Sequence, residues 1–117
     1  MSTLRADTIQ NTSGGAVTLT DQIAVKHYAM FDGATNTIDE SYNMSSLTDN
    51  STGNYSTNFT NSMSTSTFGL SLGGSWNRTY GMAEARTTSY ARGKNATFAL
   101  AASDGDDMHH IVVGDLA

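Results

Sequence analysis

Large apolar and small polar residues alternate at period two through much of this chain, and the alternation is cleanest in its middle. Residues 55–59 put Tyr55, Thr57 and Phe59 on one side and Ser56 and Asn58 on the other, the signature of a strand with one buried face. Residues 38–47 carry Ile38, Tyr42, Met44 and Leu47. Between the two runs, residues 48–54 read Thr-Asp-Asn-Ser-Thr-Gly-Asn. This predicts an antiparallel hairpin with a longer loop, in which Gly53 takes a positive φ and Asp49 or Asn50 bonds the backbone two residues on. Residues 23–31, Ile-Ala-Val-Lys-His-Tyr-Ala-Met-Phe, are nearly apolar on both sides, with Ile23, Val25, His27, Ala29 and Phe31 sharing a parity, and predict a central or interface strand. Phe68, Leu70 and Leu72 alternate with small residues in 68–76, where Gly69, Gly73 and Gly74 suggest bulges or close backbone approach, as near a three-fold axis or against Trp76.

The remaining text is less regular. Residues 96–102 predict a strand, 103–107 a tight acidic turn, and 108–113 a closing strand that ties the C-terminal end into a sheet. Residues 61–67 read as a polar loop anchored by Met63. Within 78–95, Ala83-Glu84-Ala85-Arg86 suggests a helical turn and residues 90–95 a loop. Two short apolar patches, 4–9 and 16–19, flank a turn at 11–15. The expected division is an N-terminal strand or adaptor segment, 1–20, and a single β-sandwich-like domain, 21–117. The fold class is all-β, a small antiparallel sandwich-like module.

Composition adds a constraint. Hydrophobic residues make up 38% of the 117, against about 45–50% in ordinary globular chains. Ten aromatics and a charged fraction of 15% argue against disorder, so the expected remedy for a thin core is association, with neighbouring chains completing it. A formal charge of −5 disfavours nucleic acid. No apolar run approaches a membrane span, and the N-terminus does not read as an export signal. With no cysteine, neither disulfides nor thiolate metal sites are expected.

The phrase Phe31-Asp32-Gly33 after Tyr28, followed by SYNMSSLTDNSTGNYSTNF over residues 41–59, resembles a module of virion proteins of marine and freshwater bacteriophages, mostly tail-fibre or short-fibre proteins. Residues 4–14 resemble segments of the same proteins. The two stretches cover under half of the chain. The resemblance implies a virion structural protein, commonly trimeric and assembled in the host cytoplasm, whose partners are itself, other virion proteins and a host surface glycan or protein. The alternative expectation is a capsid decoration (cement) protein, since 117 residues is short for a complete fibre.

Candidate chemistry is sparse. Asp104, Asp106 and Asp107 around Gly105 resemble a calcium loop but lack its residue order, so a hairpin turn with solvated carboxylates is expected. His109 and His110 are adjacent in a strand and face opposite ways. One exposed and one packed imidazole is the expectation, the alternative being a metal ring on a symmetry axis. Asp39 and Glu40 likewise point apart, and no nucleophile, base and acid can be paired. The chain is expected to be no enzyme and to carry no cofactor. Four of the six basic residues, Arg78, Arg86, Arg92 and Lys94, fall within 78–94, as a solvated face, as partners for a neighbouring subunit's acids or as a contact for anionic sugar. Trp76, Tyr80, Tyr90 and Arg92 are the candidate surface-contact residues, because aromatic and arginine side chains dominate interface energetics.

Overall fold

The computed structural model describes residues 8, 10–14, 24–74, 78–97, 99 and 101–117, with backbone alone for 78–84. Among these residues eight strands follow in order: β1 (Ala24–Asp32), β2 (Thr37–Tyr42), β3 (Met44–Ser51), β4 (Asn54–Phe59), β5 (Gly69–Gly74), β6 (Arg78–Arg86), β7 (Tyr90–Thr97) and β8 (Met108–Gly114). They form two antiparallel four-stranded sheets, ordered β2-β1-β8-β5 and β3-β4-β7-β6. The molecule is an all-β sandwich, as its alternation demands. The last strand, β8, lies between β1 and β5, and beyond it Leu116 bridges Met63.

Period-two geometry assigns the faces. His27, Ala29 and Phe31 of β1 point inward with Met108, His110 and Val112 of β8. Opposite them lie Tyr55, Thr57 and Phe59 of β4 and Ala91 and Asn95 of β7. The apolar contacts form two groups, one around Phe59, Met63, Phe68, Ala91 and Val112, the other around Ala29, Phe31, Tyr55 and Met108.

The Phe-Asp-Gly phrase has a structural role at the β1–β2 turn. Phe31 is in the core, and the Asp32 carboxylate accepts the Ala34 and Thr35 amides at 2.7 and 3.1 Å. The Thr35 amide chiefly holds that carboxyl below its usual range. Gly33 is buried under the Tyr55 ring, where a Cβ would come within 2.8 Å of the ring.

The structure corrects several expectations. The run 38–47 is broken at Asn43, which takes φ 54° and carries the chain from one sheet to the other. Its side chain fixes the corner: Nδ2 donates to the Lys26 and Asn61 carbonyls at 2.9 and 3.1 Å, and Oδ1 accepts the Asn61 amide at 2.7 Å. Asparagine tolerates this left-handed conformation. The hairpin that follows is tighter than expected, since residues 48–51 extend β3 and only Thr52 and Gly53 make the turn, Gly53 with φ 69°. A register shift after Val25 throws that residue to the outer side, out of parity with His27. Gly69 and Gly73 lie against Val113 and His109 of β8. Residues 83–86 are strand and not a helical turn, and 90–95 are a central strand and not a loop. In β7 small residues fill the inward positions while Arg92 and Lys94 take the outward ones, which gives a buried strand the composition of a loop. The run 96–102 ends as strand at Thr97 and turns back, Ala102 bridging Ala96, while Phe98 and Leu100 lie outside the described residues. The turn at Asn11 to Gly14 is present, with the Gly14 amide donating to the Asn11 carbonyl at 2.9 Å. The remainder of the expected 1–20 adaptor segment lies outside the described residues.

Candidate functional site

Two polar constellations stand out, one on the surface and one inside. The surface one is the outer face of the β3-β4-β7-β6 sheet. Because Ala91, Gly93 and Asn95 point inward, Tyr90, Arg92 and Lys94 all emerge on the outer side of β7. The register sets Asn58 opposite Tyr90, Ser56 opposite Arg92 and Asn54 opposite Lys94, and then Thr48 of β3 opposite Ser56. Arg92 is tied down by this row: Nε donates to Ser56 Oγ at 3.1 Å and an Nη2 proton to Asn50 Oδ1 at 3.0 Å. Asn50 Nδ2 donates to the same Ser56 oxygen at 2.9 Å, so both lone pairs of that hydroxyl are engaged. The guanidinium carbon lies 5.7 Å from the Tyr90 ring centroid, within cation–π range. Asn58 Nδ2 donates to Thr48 Oγ1 at 2.8 Å and Ser46 Oγ at 3.0 Å. Ser56 is therefore only 3% exposed although it lies on an outer face.

Of the sequence-derived candidates, Tyr90 and Arg92 are thus brought together. Trp76 lies outside the described residues, as does the side chain of Tyr80, whose backbone pairs with Asn95. The basic residues do not form one face: Arg86 reaches across to the first sheet, donating to the Phe68 carbonyl at 3.1 Å, and the side chain of Arg78 lies outside the described residues. The supporting Asn50, Ser56 and Asn58 were missed, because only the cross-strand register makes them neighbours.

The interior constellation is a hydrogen-bonded chain joining the sheets. His27, Thr57 and His110 are all fully buried. His27 Nδ1 lies 3.1 Å from the Asn43 carbonyl, His27 Nε2 lies 2.9 Å from Thr57 Oγ1, and that oxygen lies 2.9 Å from His110 Nδ1. A carbonyl can only accept, so His27 carries its proton on Nδ1 and leaves Nε2 bare. The Thr57 hydroxyl therefore donates to His27 and accepts from His110 Nδ1–H. Burial lowers the pKa of His27, and burial together with repulsion from His27 and His109 pushes His110 down to about 3. Phe59 lies beside His27 with ring centroids 4.7 Å apart, and Phe31 meets His110 edge-on at 5.4 Å. A polar residue at the parity of Tyr55 and Phe59 was the available signal. His109, on the opposite side of β8, is half-buried across Gly73, so one imidazole is packed as expected and the other is less exposed than expected.

The acidic turn is also more integrated than solvated carboxylates would be. Asp104 accepts the Gly53 amide at 2.7 Å and the Tyr55 hydroxyl, whose oxygen also lies 2.7 Å from the Gly33 carbonyl. This environment raises the Tyr55 pKa, chiefly through burial and then through Asp104. Asp106 and Asp107 are exposed. Among the described residues no group of three His, Cys, Asp or Glu side chains is arranged to hold a metal ion. A cleft of about 330 Å³ beside Met63, Phe68 and Val113 has Asp115 as its one titratable lining residue.

No protein-family model matches this chain, and neither does any curated protein or any solved structure.

Proposed function

We propose that this chain is a non-enzymatic structural module of a bacteriophage particle, a tail-fibre or short-fibre module that assembles as a homotrimer and contacts the host surface or neighbouring virion proteins. The resemblance of residues 28–33 and 41–59 to phage fibre modules motivates the setting, and one structural observation carries the assembly: the outer face of the β2-β1-β8-β5 sheet bears an exposed apolar cluster. Tyr42, Tyr28 and Ile111 form a cross-strand row on it, with Val25 and Val113 paired beside them. Val25 and Tyr42 are 50% and 59% exposed.

Four strands about 4.8 Å apart and some seven residues long at about 3.4 Å each make a face of roughly 450 Å². Contiguous exposed apolar patches larger than a few hundred Å² mark association sites. A standard interface needs about 800 Å² per partner, so this face supplies about half and the fully exposed edge strand β2 extends it. Further copies of the chain are the occupants this reading assigns.

Sedimentation of the purified protein tests the assembly. A species of three times the monomer mass, dissociated by Val25→Glu or Tyr42→Glu, is expected. A compact monomer at every concentration, with an unchanged melting temperature on dilution, overturns it. Cryo-electron microscopy of particles tests the setting: density along the tail supports the fibre reading, density between capsomers replaces it with capsid decoration, and absence from the particle refutes both.

A further inference from the structure

We infer that the outer face of β3, β4 and β7 is a binding site for acidic polysaccharide, in which Arg92 grips a sugar carboxylate and Tyr90 receives the apolar face of the sugar ring. The two sheets present opposite chemistries to solvent. One bears an apolar cluster beside a row of Glu40, Met30 and His109; the other is a polar platform of Asn, Ser and Thr with a cation row at its centre. In a chain with a net charge of −5, strand register puts Arg92 and Lys94 on this face, and the β3 and β4 residues that share it with them are Asn, Ser and Thr. A face that served only solubility would intersperse both signs.

The geometry of Arg92 makes the case specific. A guanidinium has five N–H donors in a rigid fork. Two are committed to Ser56 and Asn50, and among the described residues no acceptor takes the other three. The side chain is therefore held in place before any ligand arrives, which removes much of the ordering entropy that binding normally incurs, while enough of the fork remains for a carboxylate. Tyr90 lies beside it on the same strand face and offers an aromatic surface at the distance of an adjoining sugar ring. Asn58 directs its NH₂ to Ser46 and Thr48, which leaves its carbonyl oxygen as an acceptor for a sugar hydroxyl. Two cations on a net-acidic protein are too few for a nucleic-acid backbone, whose affinity comes from many phosphate contacts. A carboxylate-bearing sugar polymer suits one fixed guanidinium, one aromatic ring and flanking amides, with avidity supplied by several copies.

The inference deepens the adhesive role proposed above, but its test is independent of particle placement. The purified protein is passed over immobilised polygalacturonate and polysialic acid, and over polygalacturonate whose carboxyls have been reduced to alcohols. Binding to at least one acidic polymer is expected at about 20 mM salt, fading as salt rises to about 0.5 M. Reduction of the carboxyls and R92Q should each weaken it by about tenfold or more, the scale of one charge-assisted hydrogen-bonding contact. R92K, which keeps the charge but loses the fork, and Y90A, which leaves Arg92 in place, guard against a folding defect in R92Q and should each weaken binding several-fold. E40Q, on the opposite sheet, should bind as the unaltered protein does. Undiminished binding by R92Q, equal binding to the reduced polymer, or no binding to either acidic polymer overturns the inference.

Discussion

Acid should weaken this fold well before its carboxylates titrate, and the magnitude follows from the buried His27–Thr57–His110 chain. Each imidazole is neutral and its hydrogen bonds run in one direction. A second proton on His27 Nε2 would turn the acceptor of the Thr57 hydroxyl into a donor, leaving that hydroxyl proton without its acceptor in a sealed interior. Both folded-state pKa values are depressed, His110 to about 3. Above the unfolded value of about 6.5 neither state binds protons and pH is neutral to stability. Below it the unfolded chain takes up protons that the folded chain refuses, and stability falls by about 1.4 kcal/mol per pH unit per histidine. Between about pH 6.5 and pH 5 the loss is about 2 kcal/mol from His110 alone, and His27, whose pKa is also lowered, adds to it in the same direction. That is a large share of a typical total of about 5–15 kcal/mol. Urea unfolding followed by far-ultraviolet circular dichroism at about pH 7 and pH 5, at matched ionic strength, measures it, provided the denaturant slope is the same at both. A change below about 0.5 kcal/mol would refute the reasoning, because both histidines would then titrate alike in the two states.

Two further outcomes are expected. Thr57→Val removes the hydroxyl between two buried ring nitrogens and should destabilise by about 2–6 kcal/mol, at roughly 1–3 kcal/mol per orphaned group; Thr57→Ser, which keeps the hydroxyl, should lose only about 1 kcal/mol for its missing methyl, and equal losses in urea titrations would contradict the hydrogen-bond assignment. Gly53→Ala would force a side chain into φ 69° with its Cβ 2.4 Å from the Asn95 carbonyl oxygen, so its melting temperature should fall by an amount matching about 2 kcal/mol or more, whereas a neutral result would mean that the turn relaxes at little expense.

The sequence made the apolar half of the fold legible and hid the polar half. β4 and β5 announce themselves because large apolar residues alternate against small or polar ones, β1 and β8 because their apolar runs are dense, and the inward parities of Tyr55, Phe59 and Leu70 follow directly. β7 was invisible for the converse reason: its inward residues are Ala91, Gly93 and Asn95, small because Tyr55 and Thr57 sit on the neighbouring strand, and its outward residues are charged. The corner at Asn43 and the bulge at Val25 each break the parity count by local backbone geometry that no alternation reveals. At the candidate site, Tyr90 and Arg92 were recognisable from residue type alone. Ser56 and Asn50 were not, since they become neighbours of Arg92 through the β4–β7 register and the β3–β4 turn, which are properties of the assembled sheet.

The distribution of aliphatic residues links the interior to the proposed assembly. Branched aliphatics are normally among the most buried residues. Here, among the described residues, the fully buried hydrophobic set consists of aromatics, methionines and alanines together with one branched aliphatic, Val112. Ile38 and Val25 are instead exposed, and Ile111 and Val113 are only partly covered on the outer side of β8. Leu47, Leu70 and Leu116 pack against the core as partly buried side chains, and a hydrogen-bonded histidine–threonine chain, flanked by Phe31 and Phe59, joins the sheets inside. A fold that leaves Val25, Ile111 and Val113 on one outer face while cross-linking its core with polar groups is arranged for contact. The same logic divides the two outer faces: the apolar one can be covered by copies of the chain, which leaves the Tyr90–Arg92 face turned toward whatever the assembly meets.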